Sequence, residues 1–493
     1  MVKKEINFNN SFEVEKFIQN LSKQILKNYP ASIQNLSSII SGRAGTHNCY
    51  RNNYFKLQDD GFFNNGNTST VNATEILQCS RRCKLTSYLK AMLLLITIVT
   101  NCLPQIKLKN KSIPNILIYS TPSEKINNKA IYDFFVEPRI MSHLQCGEPQ
   151  IVIQKKPNFK TKNYHPKIIS TRYIPLYLLR NHLSLRHKIE IQKVVLKNFF
   201  KFKSTYSCDP FLLCQKELIF EIPLYTRINL SNKTDVIYTQ SNLRVLSPIS
   251  YITEVNYKVK NIMIWYSTNS DLIYKKYDKS FKIENNYLSL GRINCHLVWD
   301  RAAKIKLSKM TKSDIFICGS LLFYPREKSF KQKKNKIFNI LFFDITPLEA
   351  ATKNDFLNTD QALMTIQEIL NVTAEIKSNL KLDIQLSIKP KRNYSSLHSQ
   401  KYLNYLKYLQ TQKKILIIKN SSNLYKAVQE SDLVICVPWT SPALIAKELG
   451  VNAIYYVSDR DYAWKLRQTR DVTLIRDEKN LYLFVKKLIS SKF

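Results

Sequence analysis

The stretch SDLVICVPWTSPALIAKELGVNAIYYV, residues 431–457, holds a strand, a turn, a helix and a second strand in direct succession. LVICV (433–437) is an uninterrupted apolar run, the pattern of a strand buried on both faces of a parallel sheet. Pro438 and Trp439 turn the chain, and Thr440 and Ser441 offer hydroxyls to cap a helix whose first turn holds Pro442. Gly450 closes that helix, and AIYYV (453–457) is again an apolar strand. The free N–H groups at such a helix start, with two hydroxyls beside them, suit an anion. An ordinary, well-capped strand–turn–helix unit would have the same spacing.

The same alternation extends upstream. IFNILFF (337–343) is a continuous apolar strand that runs into the loop DITPLEAATKND. Thr359 is expected to cap a helix whose Leu363, Ile366, Ile369, Leu370, Thr373 and Ile376 recur at helical spacing. A strand over 384–388 follows, then the loop KPKRNYS, a Tyr/Leu-striped helix near 400–410, a strand over 415–418 and a short helix over 424–430. A last helix over 482–489 closes the chain. Five strands alternating with helices predict a doubly wound, mostly parallel sheet. Ligands of such sheets bind beyond the carboxyl ends of the strands, which draws attention to residues 344–354, 389–392 and 438–441. Lys389, Lys391 and Arg392 set three cations at one strand end. They read either as a solvated basic turn or as a phosphate site, since the guanidinium fork matches phosphate oxygens.

Before this region, KSFKQKKNK (328–336) is polar, carries five lysines and lies between two apolar runs, as a linker would. NILIY (115–119) opens another set of strand-like runs, at 151–153, 218–222, 236–239, 262–266 and 295–299, with a helix over 176–200. The first hundred or so residues carry an amphipathic helix over 11–27, a polar loop over 42–75 and the apolar run AMLLLITIVTNCL (91–103). That run falls short of the ~20 residues a spanning helix needs. It reads as a buried core helix or, behind Arg81, Arg82, Lys84 and Lys90, as an interfacial segment. The predicted architecture is α/β, with two Rossmann-like domains behind a mostly helical N-terminal extension. The expected boundaries are 1–110 for the extension, 111–327 for the first α/β domain, 328–336 for the basic linker, 337–476 for the second α/β domain and 477–493 for the closing helix.

Seventy-five basic residues against 37 acidic ones leave a net charge of +38. That balance invites a nucleic-acid partner. Two further counts point elsewhere: Gly is 8 of 493, against about 35 at average usage, and 57 of the 75 cations are Lys. Lys, Asn, Ile, Tyr and Phe in excess of Gly, Ala, Arg and Pro mark an A/T-rich coding sequence, with the charge spread over a solvated surface. The sequence contains no zinc finger, RRM-type aromatic motif or dense Arg cluster. The ten cysteines form no CxxC pair, and the seven histidines form no set of metal-ligand spacing, so neither disulfides nor a metal site is expected. MVKKEINFNN lacks the apolar core of a signal peptide.

The motif Pro438-Trp439-Thr440-Ser441-Pro442-Ala443-Leu444-Ile445-Ala446 resembles the Pro-Phe-Thr-Ser-Pro-Ala-Leu-Ile-Ala segment of bacterial polysaccharide-biosynthesis proteins named for a PFTS motif. Ser431-Asp432-Leu433-Val434-Ile435 and the KPKR at 389–392 fit the same family, with fainter landmarks at Trp265-Tyr266-Ser267 and Val298-Trp299-Asp300. Trp439 replaces the family's Phe, and Ser458-Asp459-Arg460 replaces a more usual Asp-Pro turn. More broadly, residues 339–457 resemble the nucleotide-sugar domain of GT-B glycosyltransferases.

The resemblance implies a nucleotide-sugar donor in the second domain and a glycan or lipid-linked acceptor in the first. It implies no metal and no cofactor beyond the donor substrate. It assigns Lys389, Lys391, Arg392, Pro438, Trp439, Thr440 and Ser441 to donor binding, with a catalytic base expected from the first domain if the reaction inverts. Glu124 and Glu137 are the carboxylates to test, although both also read as surface residues. His296, within an apolar strand, reads more readily as a core histidine. The chain is expected in the cytoplasm, in peripheral contact with the anionic inner face of the membrane. Polyol-phosphate transfer is a near neighbour of this reading. The alternatives from other classes are a basic nucleic-acid-binding protein and an inactive assembly scaffold.

Overall fold

The computed structural model describes residues 6–7, 70–71, 115–119, 128–145, 148–154, 165–171, 174–205, 224, 234–239, 259–265, 273–275, 293–308, 311–322, 337–345, 347, 358–391, 398–419, 422–458, 462–464 and 472–492. Of the N-terminal extension this leaves β1 (Ile6–Asn7) and β2 (Thr70–Val71), which pair antiparallel. The helices expected at 11–27 and 91–103, and the linker at 328–336, lie outside the described residues. The chain forms two compact units: one of residues 1–264, 283–297 and 307–316, the other of 265–282, 298–306 and 317–493.

In the first unit the apolar runs become strands because each is short, β-branched and flanked by polar turns. In chain order the elements are β3 (Ile116–Ile118), α1 (Asn128–Phe135), α2 (Pro138–Met141), β4 (Ile151–Gln154), β5 (Ile168–Thr171), α3 (Ile174–His182), α4 (Leu185–Thr205), β6 (Thr234–Thr239) and β7 (Val259–Ile264). Then come β9 (Cys295–Val298) and β10 (Asp314–Ile317), while β8 (Ile273–Lys275) and most of α5 (Arg301–Ser308), which precede them in turn along the chain, belong to the second unit. Seven of these strands form a sheet in the order β10-β9-β7-β6-β3-β4-β5. Leu117 of β3 sits between Val152 and Val236 in parallel register, and all three are fully buried. Apolar side chains from the helices, such as Ile131, Phe135, Leu178 and Leu179, complete this core. Asp235 is buried with them and is accommodated because its Oδ2 accepts from the Gln145 N–H at 2.8 Å.

The single helix expected over 176–200 is two helices. The chain breaks at Leu183-Ser184, and Ser184 restarts it: its Oγ accepts from the His187 N–H at 3.3 Å and its carbonyl from Lys188 at 3.0 Å. The apolar spacing runs through this break, so periodicity hides it while the serine cap marks it.

The second unit contains β11 (Phe338–Phe343), α6 (Thr359–Leu380), β12 (Ile384–Lys389), α7 (Gln400–Thr411), β13 (Leu416–Ile417), α8 (Leu424–Gln429), β14 (Leu433–Cys436), α9 (Ser441–Glu448), β15 (Asn452–Tyr456), β16 (Tyr462–Trp464), β17 (Thr473–Ile475) and α10 (Glu478–Lys492). Its six-stranded sheet runs β13-β12-β11-β14-β15-β17, parallel throughout. Counted within the unit this is strand order 3-2-1-4-5-6, the Rossmann order, and the first unit has the same order with one further strand beyond β9. Among the helices, α6 packs against α7 and α10, and α8 against α9.

The core of this unit follows from its strands being apolar on both faces. Ile366, Ile369 and Ile376 of α6 are buried against it, each contributing on the order of 1.5–3 kcal/mol. Helix α6 is capped one residue earlier than expected: Asn358 is the N-cap, its Oδ1 accepting from the Gln361 N–H at 2.8 Å, and Thr359 is the first helical residue. Asp432 pins the start of β14 to β11, accepting from the Asn339 N–H at 2.7 Å and donating its own N–H back to the Asn339 carbonyl.

Candidate functional site

Strands β12 and β14 flank β11, and the chain leaves β11 toward β12 while β14 stands on its other side. This is the point where the strand order reverses, and the crevice beyond the carboxyl ends there is where such sheets bind ligands. The residues at that edge are Asp344 after β11, Lys389 at the end of β12, the turn Val437-Pro438-Trp439-Thr440 after β14, and Ser458 after β15.

Asp344 organises one side of the crevice. It is 5% exposed; its Oδ1 accepts from the Lys391 N–H at 2.9 Å and its Oδ2 from the Tyr402 hydroxyl of α7. Lys389 is equally buried and donates from Nζ to the Lys419 carbonyl at 3.2 Å. Burial pulls its pKa down to about 8, against the opposing attraction of Asp344. Lys391 is exposed, and Arg392 lies outside the described residues. A small pocket is lined by Asp344, Gln361, Thr365, Tyr402, Val437 and Tyr456. Two of its lining residues bond outward: Gln361 Nε2 donates to Ser458 Oγ at 2.7 Å, and the Tyr456 hydroxyl donates to Glu368 at 2.5 Å.

The turn after β14 is built tightly. Trp439 is 3% exposed and adopts φ +62°, a left-handed conformation that costs a bulky residue on the order of 1–3 kcal/mol. Its ring packs edge-on against Tyr455, centroids 5.1 Å apart, and burial of the indole offsets the backbone cost. Thr440 occupies the N-cap position of α9, but its hydroxyl does not cap the helix as expected. It turns back to donate to the Val437 carbonyl at 2.7 Å, closing the turn on itself. Ser441 and Pro442 are the first helical residues, and Ser441 is half-buried. Cys436 lies beneath, its thiol against the Thr440 hydroxyl and the Ala443 amide, and burial pushes its pKa up. Gly450, at φ +73°, ends the helix as its sequence position predicts.

In the first unit, Glu137 is the N-cap residue of α2 without a capping hydrogen bond, and its Oε1 accepts from Arg139 Nε at 2.7 Å. Glu124 lies outside the described residues. His296 is fully buried in β9, and desolvation lowers its pKa to about 4, so it is neutral in the core at physiological pH. In the second unit the two tryptophan landmarks of the sequence meet: Trp299 Nε1 donates to the Trp265 carbonyl. Asp300 caps α5 by accepting from the Ala303 N–H at 2.8 Å. Among the described residues no cluster of His, Cys, Asp or Glu could hold a metal ion, and no helix is long and apolar enough to cross a membrane.

Sequence reasoning placed Lys389, Lys391 and residues 438–441 at strand ends, and the structure brings them to the carboxyl edge of one sheet. It singled out the loop 344–354 without giving Asp344 a role, and it passed over Tyr402. The signal available for Asp344 was its position, a carboxylate directly ending the most apolar strand of the unit.

Two doubly wound Rossmann-like units, the second with a built turn at its switch point, define an α/β protein. The profile of the polysaccharide biosynthesis PFTS motif proteins matches residues 213–485, and the chain belongs to that family. No curated protein matches the sequence at a significant level. Among solved structures, the wall teichoic acid polymerase TagF soaked with CDPG is similar at 12% identity and TM-score 0.41, over 83% of this chain and 88% of that one. TarM is similar at 11% identity and TM-score 0.33, over 58% of this chain. The alignment spans about half of TarM, 52% of its length. MurG of Acinetobacter baumannii is similar at 11% identity and TM-score 0.31, over 76% of this chain and 90% of that one.

Proposed function

We propose that the protein is a glycosyltransferase of surface-polysaccharide synthesis. It takes a sugar from a nucleotide-diphosphate donor and passes it to a glycan or lipid-linked acceptor, in peripheral contact with the anionic inner face of the membrane. Family membership supports the pathway, and the observation that carries the chemistry is the PFTS turn at the switch point. There a left-handed, buried Trp439 holds Thr440, Ser441 and the start of α9 at the same sheet edge as Lys389.

In this reading the donor diphosphate lies along the carboxyl edge of the second sheet. As the glycosidic C–O bond breaks, negative charge grows on the leaving phosphate. The N-terminal N–H groups of α9, the hydroxyl of Ser441 and the cations Lys389, Lys391 and Arg392 stabilise it in place. Lys389, with its pKa near 8, still carries its proton at neutral pH. Asp344 keeps the Lys391 turn in position through its backbone contact. Pro438 and Trp439 set the direction of the turn. In an inverting reaction the acceptor hydroxyl is deprotonated by a carboxylate, Glu124 or Glu137, the latter paired with Arg139.

The test is nucleoside-diphosphate release from a panel of nucleotide-sugars, with and without membrane-extracted acceptors. Release with one donor, lost in Thr440→Ala with Ser441→Ala, supports the enzyme. Absence of release with every donor favours the assembly scaffold.

A further inference from the structure

Helix α4 presents an apolar stripe to solvent. Leu185, Ile189 and Leu196 are 54%, 43% and 37% exposed, although the same helix buries Ile191 completely. At 100° per residue the three fall within about 40° of one another, on the side opposite Ile191. They form a line along the outer face, unlike exposed apolar residues scattered singly.

The border of the stripe is basic. Arg186 and Lys193 are exposed and fall on the adjacent side of the same outer face. The helix carries six Lys and Arg against one acid, Glu190. Glu190 is spoken for by Arg186, with Nε to Oε1 at 3.4 Å. The helix runs for 21 residues, about 32 Å at 1.5 Å per residue, and carries too many charges to cross a bilayer.

We infer that the outer face of α4 is a docking surface for an anionic lipid bilayer, with Leu185, Ile189 and Leu196 entering the headgroup boundary and Arg186 and Lys193 meeting lipid phosphates. An aliphatic stripe edged by cations is the pattern of a helix that lies in the interface plane. The charge separates this occupant from the others. A second copy of a chain with net charge +38 would bring like charges together across the stripe. Nucleic acid would meet the lysines but leave the aliphatic line without a partner. The inference rests on the peripheral-membrane part of the proposed function and is independent of the transferase chemistry.

The test is co-flotation of the full chain with vesicles of phosphatidylcholine alone and of phosphatidylcholine mixed with phosphatidylglycerol, at low and high salt. Binding is expected to the anionic vesicles only and to fall with salt. Arg186→Gln with Lys193→Gln should weaken it about 25-fold, at about fivefold per charge, and Ile189→Asp with Leu196→Asp should abolish it. All four positions are exposed or helix-surface sites, so the variants should keep the wild-type melting temperature and nucleotide-induced shift. Anionic-vesicle binding unchanged in both double variants overturns the assignment to α4 while leaving peripheral contact in place. No binding by the wild type overturns both, and equal binding to neutral vesicles, or a dimer lost in the Ile189 variant, overturns the anionic-lipid assignment.

Discussion

The carboxylate of Asp344 accepts the hydroxyl proton of Tyr402, joining the end of the first strand of the second sheet to a helix 58 residues further along the chain. The other oxygen of the same carboxylate holds the Lys391 amide at 2.9 Å. A single buried side chain therefore ties β11, the basic turn after β12 and α7 together. Replacing it leaves a hydroxyl and an amide unsatisfied, at about 1–3 kcal/mol each. Asp344→Ala is expected to lower the melting temperature by several degrees, and Tyr402→Phe by less, because only one bond is lost. The Asp344→Ala and Tyr402→Phe effects should be markedly non-additive in a double-mutant cycle. Additive losses would mean that the bond contributes nothing.

Lys389 supplies a pH signature. Its folded pKa, about 8, lies below the ordinary 10.5 because burial disfavours the charged form. Between those values the unfolded chain binds more protons than the folded one, so this residue's contribution to stability rises as pH climbs from about 8 to 10.5. Lys389→Met should melt higher than wild type near pH 7, where the buried charge is a cost, and the gap should close toward pH 10. Nucleotide binding should move the opposite way, weakening in the wild type as Lys389 loses its proton above pH 8. Thermal shifts at a series of pH values with and without nucleotide read both.

Much of the second unit is legible in the sequence because its strands are buried on both faces. Runs such as IFNILFF and LVICV need no partner to be recognised. The strand Thr473–Ile475 escaped because three residues carry no period, and it exists by pairing with β15. In the first unit Ile168–Thr171 and Asp314–Ile317 escaped for the same reason, each being four residues at or near a sheet edge. At the site, the Pro-Trp-Thr-Ser turn announced its place, but its internal wiring did not. Whether Thr440 caps the helix or closes the turn depends on the left-handed backbone of Trp439, which no spacing reveals. Asp344 was hidden because its meaning comes from Tyr402 and Lys391, both distant in sequence.

Trp439 combines a costly backbone with a well-buried ring. Trp439→Ala removes the packing on Tyr455 and should cost about 3–5 kcal/mol. Trp439→Phe keeps a ring against Tyr455 and restores the family's own residue, so it should cost less than half as much. Chemical denaturation of the three proteins measures the order, and a Phe variant as damaged as the Ala variant would contradict the packing argument.

His296 titrates near 4 in the fold, below its ordinary 6.5, because burial disfavours the imidazolium. The unfolded chain takes up the proton first as pH falls, so the fold loses up to about 1.4 kcal/mol per pH unit between those values. His296→Gln should flatten the drop in melting temperature from pH 6.5 to 5 while leaving nucleotide binding intact. Loss of nucleotide binding in that variant would give His296 a role at the site that its burial argues against.

In the proposed function the carboxyl edge of the second sheet holds a nucleotide. Thermal unfolding of the full chain with UDP, GDP, CDP, dTDP and CMP in turn tests it most directly, since a ligand of the folded state adds about 2.7 kcal/mol at about a hundred times its Kd. One nucleoside diphosphate is expected to raise the melting temperature selectively, and the rise to vanish in Lys391→Ala with Arg392→Ala and in Thr440→Ala with Ser441→Ala. No shift with any nucleotide, beside a salt-sensitive shift with DNA or RNA, would contradict it.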